Sequence, residues 1–176
     1  MCSTSSAAMA VAAMAEGGGP ARARARSVAR LAAVQALYQM DIAGTDLADI
    51  LAERANGAVG HDIAGGELAE PDQAFFRDII SGVVRAQAAL DPDIDQGLAE
   101  GWTLARIDAT LRAILRAGAW ELSARPDVPF KVVITEYVDL AHAFFDDAEP
   151  RVVNGVLDHL ARLYRGREIA AGETGA

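Results

Sequence analysis

The sequence predicts an all-α protein, a bundle of six or seven helices. Three observations carry that reading. Alanine is very abundant while aromatic residues make up only 6%, a composition that favours helix propensity and close approach of helix axes. Apolar residues recur three and four positions apart in successive stretches, the spacing of one helical face. The one segment rich in β-branched residues, 129–145, keeps that spacing over sixteen residues and has no strand to pair with. At 176 residues the chain is long enough for one domain with its own core.

Taken in order, residues 1–20 end in "EGGGP", a break that no helix crosses. They read as a disordered extension, with Met9 and Met14 as alternative starts. A secretory signal is disfavoured because no Lys or Arg precedes the weak apolar run 7–15. A first helix is expected from about Arg24 to Ala43, with Leu31, Val34, Tyr38 and Ile42 as its apolar stripe. A short second helix, Asp46 to Arg54, follows Thr45 as a cap, and the Gly-rich stretch 55–69 reads as a loop. In "EPDQAFFRDIISGVVRAQAAL", Pro71 and Asp72 suit a helix start. Phe75, Phe76, Ile79, Ile80, Val83, Val84 and Leu90 make its buried face.

Pro92 should end that helix and open a short one carrying Ile94 and Leu98. The next should begin near Leu104, capped by Thr103, with Ile107, Leu111, Ile114, Leu115, Gly118 and Leu122 facing the core. Helix 129–145 should turn Val132, Val133, Tyr137, Leu140, Ala141 and Phe144 inward. The last should run from Pro150 to about Tyr164, burying Val153, Val156, Leu157, Leu160 and Leu163, before a flexible tail at 166–176. No run of about 18 apolar residues exists, so no membrane span is expected.

Charge is unevenly placed. Residues 1–40 hold four arginines against Glu16, a net of +3, which leaves −12 for residues 41–176 of a chain at −9. "PARARARSVARLAAVQALYQMD" (residues 20–41) packs Arg22, Arg24, Arg26 and Arg30 into nine positions. At about 100° per residue, Arg22, Arg26 and Arg30 lie within about 80° of one another, beside the apolar stripe, while Arg24 points elsewhere. An acidic body argues against non-specific coating of nucleic acid and suits a basic protein partner; the arginine face suits a local anion.

No catalytic constellation emerges. Cys2 is the only cysteine, and His61, His142 and His159 lack metal-ligand spacing. His142 and Asp146, at i and i+4, read as a solvent-facing pair. "DDAE" at 146–149 reads as an N-terminal charge on the last helix. No phosphate loop or nucleophile elbow is present, so no cofactor or metal is expected. Gly155 reads as a close helix contact or a ligand approach, Asn154 as a satisfied core amide or a ligand contact, and Trp102 and Trp120 as packing residues rather than base platforms.

Together the segments "AVQALYQMD", "FFRDIISGVV", "LRAILRAGAWEL", "DVPFKVVITEYVDLAHAFF" and "VNGVLDHLA" resemble, in order and spacing, the bacterial transcription antitermination factor NusB family, from about Ala21 to Arg165. The resemblance implies two small helical halves, no enzymatic activity and a cytoplasmic protein. It implies binding to single-stranded boxA RNA of ribosomal operon transcripts, together with the basic ribosomal protein NusE, within an antitermination complex on RNA polymerase. It places the RNA contacts on Arg22, Arg24, Arg26 and Arg30, and on Arg151, Val152 and Asn154, with Tyr38 at the NusE surface. Val152 stands where the family has a phenylalanine and cannot stack on a base, so stacking is either missing here or supplied by Phe145. Some members self-associate, so a homodimer stays open. Two other readings remain: a helical adaptor that binds no RNA, and the NusB-like domain of ribosomal RNA cytosine methyltransferases, whose catalytic domain these 176 residues do not encode.

Overall fold

The computed structural model describes residues 21–55 and 70–173. Those residues form six helices: α1 (Ala21–Ala43), α2 (Leu47–Ala55), α3 (Gln73–Gly97), α4 (Ala109–Ala124), α5 (Phe130–Phe144) and α6 (Ala148–Glu173). The expected extension 1–20, most of the Gly-rich loop, and the last three residues lie outside the described residues. No strand occurs among the described ones, so segment 129–145 is helical despite its β-branched content.

Helix α4 is the hub, packing against α1, α3, α5 and α6. Its surface is nearly all small or apolar, and ten of its sixteen residues are buried. Close approach is built in at two glycines. A Cβ on Gly118 would come within 2.9 Å of Leu157 Cδ2, and one on Gly82 of α3 would overlap the Trp120 indole. The core is continuous, running from Ala29 and Leu37 through Phe75, Ile79, Leu111, Leu115, Tyr137 and Leu157.

Boundaries follow local chemistry. Helix α1 stops where Gly44 turns to φ +65° and its N–H reaches Met40 O at 3.0 Å, a left-handed cap that glycine adopts without strain. Asp72 caps α3, its carboxylate accepting from Phe75 N at 3.0 Å. Pro92 does not end α3, which continues to Gly97. Both Pro92 and Ala88, whose carbonyl loses its partner, are exposed, so the missing N–H costs less here than it would in the core.

The helix expected from Leu104 begins at Ala109. Thr103 instead heads a turn whose carbonyl accepts from Arg106 and Ile107, and Asp108 supplies the cap to Thr110 N and Leu111 N. Helix α6 starts at Ala148 rather than Pro150. It continues past Tyr164, where a tail was expected from residue 166, through a non-helical residue at Arg165 (φ −122°).

Several expected core positions are exposed: Tyr38, Ile42, Val84, Val132, Leu163 and Trp102. Periodicity finds an apolar face but not its edge, and the helical ones among these residues lie at edges, while Trp102 stands in the connection between α3 and α4. Trp120, in contrast, is buried. Gly155 makes no close helix contact, since a Cβ there would meet nothing within 4 Å. Asn154 is exposed and is not a core amide.

The Gly82–Trp120 contact makes a direct prediction. Gly82→Ala should destabilise the fold by about 1–3 kcal/mol through overpacking, read as a lower urea midpoint at unchanged slope; an unchanged midpoint would refute the contact.

Candidate nucleic-acid and partner interface

The arginines of α1 do not act alike, because the helix rotates each into a different environment. Arg22 and Arg24 are exposed, Arg26 is half-buried, and Arg30 is turned into the core at 3% exposure. Arg30 therefore stands apart from its expected place at the ligand surface. Its Nη2 donates to Glu121 Oε1 at 2.6 Å and its Nε to Oε2 at 3.0 Å, a bidentate pair. Tyr137 Oη donates to the same Oε2 at 3.0 Å. Arg30 Nη1 lies 3.2 Å from Glu136 Oε2, which also accepts from Ser27 Oγ at 2.7 Å.

Burial by itself would pull the Arg30 pKa down; the hydrogen bonds and charge of Glu121 overcome it and hold the guanidinium above its ordinary value. The Tyr137 phenol is pushed well above its ordinary value, by burial first and then by the Glu121 charge.

Around this network stands a second layer. The Phe75 ring, itself fully buried, is faced by the guanidinium carbons of Arg26 (4.8 Å), Arg30 (5.0 Å) and Arg125 (5.0 Å), each a cation–π contact. Three cations round one ring need compensation. Asp127 takes a bidentate pair from Arg125 at 2.8 and 2.9 Å, and Asp78 accepts from Arg125 at 3.0 Å. The hydrogen bonds from Arg125 hold the Asp127 carboxyl down to about 2. Arg26 is held more loosely, 3.8 Å from Asp72 and 3.7 Å from Asp127, and its buried Nε has no hydrogen-bond partner.

The turn between α4 and α5 is fixed from below by α6. Arg165 donates to the carbonyls of Glu121, Leu122, Arg125 and Val128, placing a cation on the negative end of α4. Its partner Glu168 accepts from Arg165 Nη1 at 2.9 Å and from Phe130 N at 3.1 Å, at the start of α5.

Between α1 and this turn opens a groove of about 540 Å³. It is lined by Arg22, Arg26 and Arg30 on one side and by Asp127, Val128, Pro129, Val132 and Glu136 on the other. The expected Arg22–Arg26–Arg30 side thus forms one wall. Arg151 and Asn154 are exposed on the first turns of α6, a separate helix, and Val152 there is half-buried against the core, as is Phe145 just before it.

At the other end of α1, Tyr38 and Ile42 are exposed one turn apart. Beside them a smaller groove of about 320 Å³ is lined by Leu37, Met40, Asp41, Asp46, Val84 and Arg116, among others. Asp41 is fixed by Arg112 at 2.7 and 2.9 Å. The described residues contain no group of three or more His, Cys, Asp or Glu able to hold a metal, and no helix among them is long and apolar enough to cross a membrane.

The sequence profile of the NusB family matches residues 27–162. The chain belongs to the NusB family. It is 54% identical over 154 residues to the transcription antitermination protein NusB of Rhodopseudomonas palustris (strain BisB18), covering 88% of this chain and 91% of that protein. It is 53% identical to the NusB of Brucella ovis over 152 residues, 86% of this chain and 89% of the relative. Among solved structures, NusB of T. maritima aligns with a TM-score of 0.63 at 29% identity, covering 82% of this chain and 92% of that one. A structure of antitermination factors NusB and NusE in complex with dsRNA aligns with a TM-score of 0.62 at 25% identity, covering 80% and 98%. The family is one of transcription antitermination factors, and the all-helical architecture of the described residues aligns with these NusB structures.

Glu121, Glu136, Asp127, Arg125, Arg165 and Glu168 escape a reading of the sequence. Two signals exist: Glu121 stands seven residues after Ile114 on the core face of α4, and Arg30 four before Val34 on that of α1. A charge on each of two apolar faces marks a buried pair. Arg165 and Glu168 carry no comparable signal.

Glu121→Ala should cost about 3–5 kcal/mol, because it strands a buried guanidinium; a loss in urea unfolding below about 1 kcal/mol would contradict the pairing. The Asp127–Arg125 pair should contribute stability that is fully present above the ordinary aspartate value of 3.8 and lost as pH falls through about 2. Solvent exposure of Asp127 keeps that contribution small. Carboxyl NMR should give Asp127 a midpoint near 2, and a midpoint near 3.8 would remove the pair from the account.

Proposed function

We propose that this chain is a transcription antitermination factor. It binds the single-stranded boxA element of nascent ribosomal RNA transcripts jointly with ribosomal protein NusE, within an RNA polymerase antitermination complex in the cytoplasm. It works by binding and performs no catalysis. The observation that carries the reading is the arginine-bearing end of α1 on an otherwise acidic protein: Arg22 and Arg24 are exposed and Arg26 lines the groove. Guanidinium forks suit phosphate and base edges, and single-stranded RNA is the form in which base edges are accessible.

Arg151 and Asn154 on α6 extend the contact. Val152 contributes apolar packing in place of stacking, worth about 1–3 kcal/mol per base where an aromatic is present. Arg30 acts from within the core, positioning α1, and does not touch the ligand. NusE docks at the Tyr38 end of α1, where Tyr38, Ile42 and Val84 are exposed beside Asp41 and Asp46; an apolar patch edged by carboxylates suits a basic protein. The solved NusB–NusE complex with RNA supports this pairing by similarity.

The test is a titration of labelled boxA RNA with and without NusE. Binding should be tighter with NusE, and equal affinity in both would refute joint recognition. Arg22→Ala combined with Arg151→Ala should weaken binding and shallow the dependence of log K on log salt by about one unit per lost phosphate contact. An unchanged slope would remove those two arginines from the RNA site.

A further inference from the structure

The groove beside α1 is not built as a phosphate tract. A tract for the RNA backbone would be lined by cations alone, yet here two carboxylates, Asp127 and Glu136, share the groove with the arginines. Between them lies an apolar strip, with Pro129 and Val132 both exposed. At about 540 Å³ the groove falls within the ~300–1,000 Å³ of small-ligand clefts. Donors, acceptors and an apolar surface in one cleft are the requirements of a flat heterocycle, not of a phosphate.

The donor side is Arg26. Its guanidinium is held by Phe75 and by two carboxylates at ion-pair rather than hydrogen-bond distance, and its Nε makes no hydrogen bond. The buried Nε faces away from solvent, while the terminal nitrogens make no closer polar contact among the described residues than the 3.7 Å ion pair from Nη2 to Asp127 and keep donors for a ligand. On the acceptor side, Ser27 and Arg30 both engage Oε2 of Glu136. The carboxylate is thus anchored through one oxygen and keeps acceptor capacity on the other. Asp127 is committed to Arg125 through both oxygens, which leaves Glu136 as the carboxylate with capacity to spare.

Resting on the RNA-binding reading above, we infer that this groove receives one unstacked guanine of the bound RNA and that Glu136 determines its specificity. Guanine offers the acceptors N7 and O6 to a guanidinium, and its exocyclic amino group and adjacent ring N–H to a carboxylate. Its face lies on Pro129 and Val132. Uracil lacks the amino group, and adenine and cytosine lack the adjacent pair of donors. The buried network that anchors Arg30 thereby also orients the acceptor that reads the base, through Glu136.

The experiment uses the full chain with NusE, a labelled boxA oligonucleotide, and a set of oligonucleotides in which each guanosine is replaced singly by inosine, which lacks only the amino group. Wild-type protein should lose roughly five- to 150-fold in affinity at one position, the range of one good base contact, and little at the others. Glu136→Gln should erase that preference. Ser27→Ala, which removes one anchor of Glu136 at a half-buried position, should reduce it with the fold intact by circular dichroism. Indifference of the wild type to inosine at every position overturns the inference. So does a Glu136→Gln variant that keeps the preference, or one that shifts every RNA by the same factor, which is a charge effect alone. Failure of the wild type to bind any of these RNAs refutes the RNA-binding reading itself, and the guanine pocket with it.

Discussion

The Arg30–Glu121 pair joins α1 to α4 at a point where both residues are shielded from water, and the arrangement of the functional face depends on it. Taking two charges out of water is expensive, and the attraction between them offsets this only when geometry is good and the remaining donors and acceptors are satisfied. Here Glu121 receives two bonds from Arg30 and one from Tyr137, and Arg30 spends a further nitrogen on Glu136. An apolar pair would tolerate rotation of α1; a bidentate fork does not. The rotational setting of α1 decides which arginines reach the surface, so the fork in the core governs the face presented to a ligand.

The opposite wall of the groove is held by a comparable device. Arg165 gathers the carbonyls at the end of α4, and Glu168 takes the first N–H of α5. Burial would raise the Glu168 pKa, but the bonds from Arg165 and Phe130 outweigh it and hold the carboxyl below its ordinary value. The kink at Arg165 aims that side chain under the turn, and the turn carries Asp127, Val128 and Pro129. Both walls are thus tied to the core by buried guanidiniums, while the groove between them keeps Arg26 only loosely paired. Rigidity behind the surface and uncommitted donors in front of it are what pre-organised recognition needs.

The helical class, the order of helices and most of the core are legible in the sequence, because helical periodicity and Ala-rich composition report burial over long windows. Boundaries are less so. Pro92 reads as a stop, but solvent on its side of α3 lets the helix pass it; Thr103 reads as a cap, but Asp108 holds that role. The functional face is legible in part. The spacing of Arg22, Arg26 and Arg30 places them on one side, and they line one groove. Spacing cannot say that Arg30, one residue before Leu31 and four before Val34, lies deep enough to meet Glu121. That depends on how α1 sits against α4, a tertiary relation between residues 91 positions apart. The acceptors Asp127 and Glu136 are invisible for the same reason, since one comes from a turn and the other from a helix flank.

Charge is divided by position along α1: arginines at its start, and the carboxylate of Asp41 beside exposed Tyr38 and Ile42 at its end, with Asp46 just beyond it. On the proposed function, one helix thus serves two chemically different partners. Whether Arg30 works inside the core rather than on the ligand is decided by the salt dependence of RNA binding in an Arg30→Met/Glu121→Leu double variant. Such a replacement of a buried pair by apolar residues leaves folding competent. Weaker binding is expected, because α1 loses its fixed setting, but at the wild-type slope of log K against log salt, because Arg22, Arg24 and Arg26 still supply the same contacts once the RNA is bound. A slope shallower by about one unit would show that Arg30 reaches the RNA and would contradict its role in the core.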